Sequence, residues 1–95
     1  MKHLFIINPA AGSRNHTEQY QAEIHAACHA RNLDYRIALT QHPGDATRFT
    51  LEAAQSGEEY RIYACGGDGT LNEVAAGAAG YSNVAITVFS LSIPL

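Results

Sequence analysis

Apolar residues along this chain fall in short clusters, and the spacing within each cluster switches between the strand and helix periods. Leu4 to Ile7 is a continuous apolar run ended by Asn8-Pro9. That suits a buried first strand followed by a turn, because proline cannot continue a central ladder. From about Thr17 to Arg31, Tyr20, Ile24, Ala27, Cys28 and the stem of Arg31 share one helical face, with Gln and Glu on the other. Asp34 to Thr40 alternates, placing Tyr35, Ile37 and Leu39 on one side of a second, half-buried strand. Pro43-Gly44-Asp45 signals a turn into a helix with Asp45 as its N-cap, and Ala46, Phe49, Thr50, Ala53 and Ala54 keep helical spacing until Gly57 stops it. Tyr60 to Cys65 predicts a third strand, which glycines break at once. Thr70 then opens a third helix, and Thr70-Leu71-Asn72-Glu73 has the form of a capping box, in which hydroxyl and carboxylate each satisfy a first-turn amide. Val84 to Phe89 is a fourth, β-rich strand.

Strands alternating with helices imply right-handed crossovers and an α/β fold, three layers thick, with a mainly parallel sheet of about four strands. Length agrees: 95 residues form one domain and not two. Hydrophobic residues make up 46% and charged ones 16%, below the roughly 25% of an average domain, so extensive buried or interface surface is expected. A formal charge of -3 with scattered Lys and Arg leaves no cationic footprint for nucleic acid. Cys28 and Cys65 lie apart inside regular elements, as expected of a reduced cytoplasmic protein rather than a disulfide scaffold. The apolar runs at the start and from Val84 to Leu95 are too short for a signal core or a membrane span.

In open α/β sheets ligands bind beyond the carboxyl ends of the strands, and there this chain places Asn8-Pro9 with Gly12, Thr40, and Gly66 to Thr70. Glycines at 66, 67 and 69 remove Cβ atoms so that main-chain amides can cradle phosphate oxygens, while the following helix aims its positive end the same way. Asp68 fits such an anion site once a divalent metal such as Mg²⁺ bridges carboxylate and phosphate. A Walker A loop is excluded because no lysine follows any glycine, and a dinucleotide fingerprint starting at Gly67 would need glycine where Asn72 stands. A plain strand-to-helix turn would rarely place three glycines around an acid.

Gly66-Gly67-Asp68-Gly69-Thr70 followed by Leu71-Asn72-Glu73-Val74, with Asn8-Pro9-Ala10-Ala11-Gly12 after the first strand, resembles the catalytic domain of the diacylglycerol kinase family. Sphingosine and NAD kinases belong to the wider superfamily. The resemblance implies a Rossmann-like N-terminal domain running from Lys2 to about Phe89. It further implies that Asn8, Pro9 and Gly12 border ATP, that Thr40 contacts it, and that Gly66, Gly67, Asp68, Gly69, Thr70, Asn72 and Glu73 wrap its phosphates and sugar. Asp68 would act through Mg²⁺ or phosphate placement. Thr40 to Ala46 also looks like the family's second segment. The implied reaction moves a phosphoryl group from Mg-ATP to a lipid hydroxyl, with diacylglycerol as the leading acceptor and peripheral membrane contact.

The family's β-rich lipid domain and its proposed general base are expected to be missing from this chain, which departs from the family pattern at Ser90. Two alternatives follow: a non-catalytic nucleotide-binding fragment, or a kinase of a soluble acceptor such as NAD. Direct Leu71-Asn72-Glu73 after the loop favours the lipid branch. An unpaired sheet edge is expected to promote self-association. His25 and His29, four apart, could share a metal but have no third ligand in sequence. His42 could touch phosphate, though a structural turn histidine is the simpler reading, and Arg14 could pair with phosphate or equally be an exposed loop charge. Cys65 has no paired histidine and reads as a small buried residue.

Overall fold

The computed structural model describes residues 1–10 and 15–91, so Gly12 and Arg14 lie outside the described residues. Seven elements alternate: β1 (Lys2–Ile7), α1 (Thr17–Arg31), β2 (Tyr35–Leu39), α2 (Asp45–Gln55), β3 (Tyr60–Cys65), α3 (Asp68–Ala78) and β4 (Val84–Val88). The four strands form one parallel sheet in the order β2-β1-β3-β4. Leaving β1, the chain passes through α1 to β2 on one side, then crosses through α2 to β3 on the other. Strand order therefore reverses between β1 and β3, and such a reversal leaves a crevice at the strands' carboxyl ends.

The apolar run in β1 is continuous because this strand is buried on both faces. Leu4 and Ile6 pack with Ala46, Ala53, Ile62, Ala64 and Val74 beneath α2 and α3. Phe5 and Ile7 pack with Ile24, Cys28 and Cys65 beneath α1, where Phe5 stacks on Tyr63 at 4.0 Å and meets Phe89 edge-on at 5.5 Å. The α2–α3 contact is tighter still. A Cβ on Gly77 would sit 2.5 Å from the Thr47 carbonyl oxygen and 2.8 Å from Thr50 Cβ, so only glycine lets the two backbones meet. No helix among the described residues is long and apolar enough to cross a membrane.

Several local expectations are corrected. In α1 only Ile24 and Cys28 are buried, with Tyr20 half-buried; Ala27 and Arg31 are exposed, because the helix meets the sheet along a narrow stripe. Leu39 shares the face of Tyr35 and Ile37 in β2 but is 39% exposed, at the end of an edge strand. Gly44, at φ +90°, is the N-cap of α2. Asp45 is the first helical residue, and its Oδ2 accepts the amides of Gln41 and His42 behind it at 2.8 and 3.0 Å. The capping box does not form: α3 begins at Asp68 with Gly67 as N-cap and no side-chain cap. Thr70 instead lies in the first turn with its hydroxyl buried and unpartnered, and Glu73 is drawn to α2. The last strand ends one residue early, although the Phe89 amide still donates to the Ala64 carbonyl at 3.1 Å.

Candidate functional site at the strand reversal

Three strand ends meet where the order reverses. The Asn8 amide donates to the Cys65 carbonyl at 3.2 Å and the Thr40 amide to the Ile7 carbonyl at 2.9 Å, which fixes the ends of β1, β2 and β3 at one level. Asn8 Oδ1 accepts the Ala10 amide at 3.0 Å, so its side chain turns the chain away from the sheet. On one side of Asn8 opens a cleft of about 410 Å³, lined among others by Pro9, Thr40, His42, Thr70 and Glu73. On the other side lies a hollow of about 220 Å³ between Gly66, Gly67 and the start of α1 at His16 and Tyr20.

Each glycine of the loop answers a different requirement. Gly66, at φ +153°, occupies a conformation that other residues rarely adopt. Gly67, at φ −90° and ψ −168°, is ordinary extended backbone, and Gly69 is helical. A Cβ on either of these two would meet no atom within 4 Å. Packing among the described residues therefore gives no reason for glycine at 67 or 69, and no described atom fills the space in front of them.

The first amides of a helix have no intrahelical partner, and no side chain caps α3. These donors and the helix dipole face the rim beside Gly66 and Gly67, which makes the loop a place for an anion. Neither hollow is lined by a Lys or Arg among the described residues.

The opposite wall is chemically different. Asp45 carries the Gln41 and His42 amides, which hold its carboxyl below the usual carboxylate range, with lesser help from Arg48. Glu73 Oε1 accepts the Gly44 amide at 3.0 Å, and the Glu73 carbonyl accepts the Thr47 hydroxyl at 2.8 Å.

Of the residues singled out from sequence, the structure gathers Asn8, Pro9, Thr40, Thr70 and Glu73 around the larger cleft, and Gly66 and Gly67 around the smaller. Asp68 and Gly69 are exposed at the rim, and Asn72 is exposed on α3 and lines neither hollow. Tyr20 was legible only as a core position, yet it floors the smaller hollow, and burial raises its phenol pKa. Cys65 is fully buried, and desolvation pushes its thiol up to about 12, as an inert core residue. His25 and His29 both contact the Tyr35 hydroxyl, His29 at 3.2 Å. No group of three His, Cys, Asp or Glu among the described residues could hold a metal.

An open parallel α/β domain with its candidate ligand cleft at the strand reversal, and a glycine loop feeding a helix there, defines the class of the protein. The chain belongs to the diacylglycerol kinase catalytic domain family, whose model matches residues 2–92. It is similar to YtlR of Bacillus subtilis strain 168, a protein named as a lipid kinase, with 38% identity over 76 residues, 77% of this chain and 24% of YtlR. A YegS-like protein of Xanthomonas campestris pv. campestris strain 8004, also named as a lipid kinase, is 40% identical over 63 residues, 66% of this chain and 20% of that protein. Among solved structures, a diacylglycerol kinase of Bacillus anthracis str. Sterne superposes with a TM-score of 0.67 at 29% identity, covering 95% of this chain and 32% of the kinase. The chain thus spans about a quarter of YtlR and a third of the solved kinase.

Proposed function

We propose that this chain is the nucleotide-binding part of an ATP-dependent lipid kinase, holding Mg-ATP across the strand reversal for phosphoryl transfer to a lipid hydroxyl, with diacylglycerol as the leading acceptor. The carrying observation is the empty space before Gly67 and Gly69: glycine there serves something that comes close to the backbone without being protein. Phosphate oxygens fit that description, since the α3 amides and dipole favour negative charge.

The residues present fit magnesium only in company with phosphate. Asp68 is the exposed carboxylate nearest the loop, and Mg²⁺ keeps several water or phosphate ligands and needs only one or two carboxylates. No Lys or Arg among the described residues lines either hollow, so such a counterion would offset the charge of a triphosphate there. When bound, Mg-ATP supplies the phosphoryl group. The chain's own contribution is placement: Asn8 and Thr40 border the larger cleft, Gly66 to Gly69 present amides, and Asp68 holds the metal. In phosphoryl transfer, placement and charge stabilisation make up most of what the protein provides. The acceptor lipid, membrane contact and general base are assigned to the remainder of the kinase, by analogy with relatives about three times the length of this chain.

Isothermal titration of the chain with ATP, with and without Mg²⁺, tests this reading. Binding that depends on Mg²⁺ and weakens about tenfold in Asp68→Asn, about 1.4 kcal/mol, is the expected result. No binding to the wild-type chain, or wild-type affinity in Asp68→Asn, overturns the site as assigned. Robust phosphorylation of diacylglycerol by the chain alone would show that acceptor site and base lie within residues 1–95.

A further inference from the structure

The two walls of the larger cleft are held by different means, and one residue connects them. From Thr40 to Gly44 every amide is already engaged. Thr40 donates to Ile7, Gln41 and His42 donate to Asp45, Pro43 has no N–H, and Gly44 donates to Glu73. This wall therefore has no main-chain donor left for a phosphate, and the carboxylates bound to it, Asp45 and, from α3, Glu73, repel one. On the glycine side the first amides of α3 have no side-chain cap, and the carboxylate there, Asp68, is the one assigned to the metal that accompanies phosphate. A bound triphosphate is confined to the glycine side, and the Thr40–Gly44 wall serves to fix the cleft's shape.

What joins that wall to α3 is Glu73. Its side chain takes the amide of the α2 N-cap, its carbonyl takes the Thr47 hydroxyl, and one turn later Gly77 admits the Thr47 carbonyl against α3. Glu73 was expected to wrap the ligand itself. The geometry points to another role: Glu73 is a positioning residue that clamps the start of α2 to α3, and acts on the nucleotide through Gly44 and the Thr40–Gly44 wall. The clamp accepts a hydrogen bond from an amide, so it needs an oxygen at that distance and not a charge. The influence on nucleotide rests on the proposed ATP site, whereas the clamp itself does not.

Hydrogen exchange at the Gly44 amide, followed by NMR, and Mg-ATP titration on the same samples test it. Glu73→Gln keeps the accepting oxygen, so Gly44 protection and affinity stay within about threefold of wild type. Glu73→Ala loses both by roughly tenfold, the upper end for one ordinary hydrogen bond. If Glu73→Ala does not fold, Glu73→Asp, one methylene too short to reach Gly44, replaces it with the same expectation. Loss of affinity in Glu73→Gln with Gly44 still protected would mean direct contact with the ligand and overturns the positioning role. Unchanged protection in Glu73→Ala or Glu73→Asp overturns the clamp. A wild-type chain that binds no Mg-ATP defeats the nucleotide reading, while Gly44 exchange still decides whether Glu73 clamps α2.

Discussion

Two stretches of α3 use glycine for opposite reasons. At Gly77 the neighbouring helix is so close that a Cβ would sit 2.5 Å from the Thr47 carbonyl oxygen, while at Gly67 and Gly69 it would meet nothing within 4 Å. One end of the helix is glycine because the protein fills the space, and the other is glycine with the space left empty. The first arrangement holds the fold together. The second matters only if a ligand occupies the rim.

The largest effect is expected where the space is full. Gly77→Val would drive two methyl groups into the α2 backbone, at a cost of about 3 kcal/mol, the upper part of the range for overpacking, and more than about 10 °C in Tm for a domain of this size. Thermal unfolding followed by circular dichroism measures it. An unchanged Tm would mean that α2 and α3 do not approach as described. A smaller effect is expected at the empty end. Gly69→Ala replaces glycine inside a helix, and stability rises by about 0.5 kcal/mol. Gly67→Ala, at the N-cap of α3 on extended backbone, costs up to about 1 kcal/mol, well short of Gly77→Val. Both nevertheless weaken Mg-ATP binding, by about tenfold or more, because a methyl group stands where phosphate approaches the amides. Full affinity in both variants would remove the reason for glycine at these positions and break the contrast.

Sequence reasoning saw one end of α3 and not the other. Three glycines around Asp68 interrupt a strand and carry an obvious conformational demand, so the loop stood out. Gly77 sits in a run of small residues whose partner, Thr47, is thirty positions away, and no local pattern shows which helix face will meet another backbone. The architecture was legible because the apolar run of β1 and the alternation of elements depend on local spacing. The failures were competitions between partners. Thr70 and Glu73 have capping-box spacing, but Glu73 reaches Gly44 across the helix interface, and α3 starts two residues earlier than its polar pattern indicated. Asp45 looks like an N-cap and faces backward to the turn instead. In each case the side chain found a tertiary partner that outweighed the local one. The edge-strand residue Leu39 failed for a related reason, since alternation assigns a face without saying whether a helix covers it.

The smallest effect probes the same contrast with hydroxyls. Thr50 and Thr70 are both buried with unpartnered Oγ1 atoms, yet Thr50 lies in the packed α2–α3 seam beside Gly77 whereas Thr70 lines the cleft. A buried hydroxyl without a partner costs about 1–3 kcal/mol of desolvation, and valine has nearly the same shape without that cost. Thr50→Val is therefore expected to raise stability by about 1 kcal/mol and leave Mg-ATP affinity unchanged. Thr70→Val gains similar stability but loses affinity by about fivefold, the value of one modest hydrogen bond, if its hydroxyl waits for the nucleotide. Denaturant unfolding and titration on both variants separate the cases. Equal affinities in the two would mean that the Thr70 hydroxyl, like that of Thr50, is a cost of the fold and no part of the site.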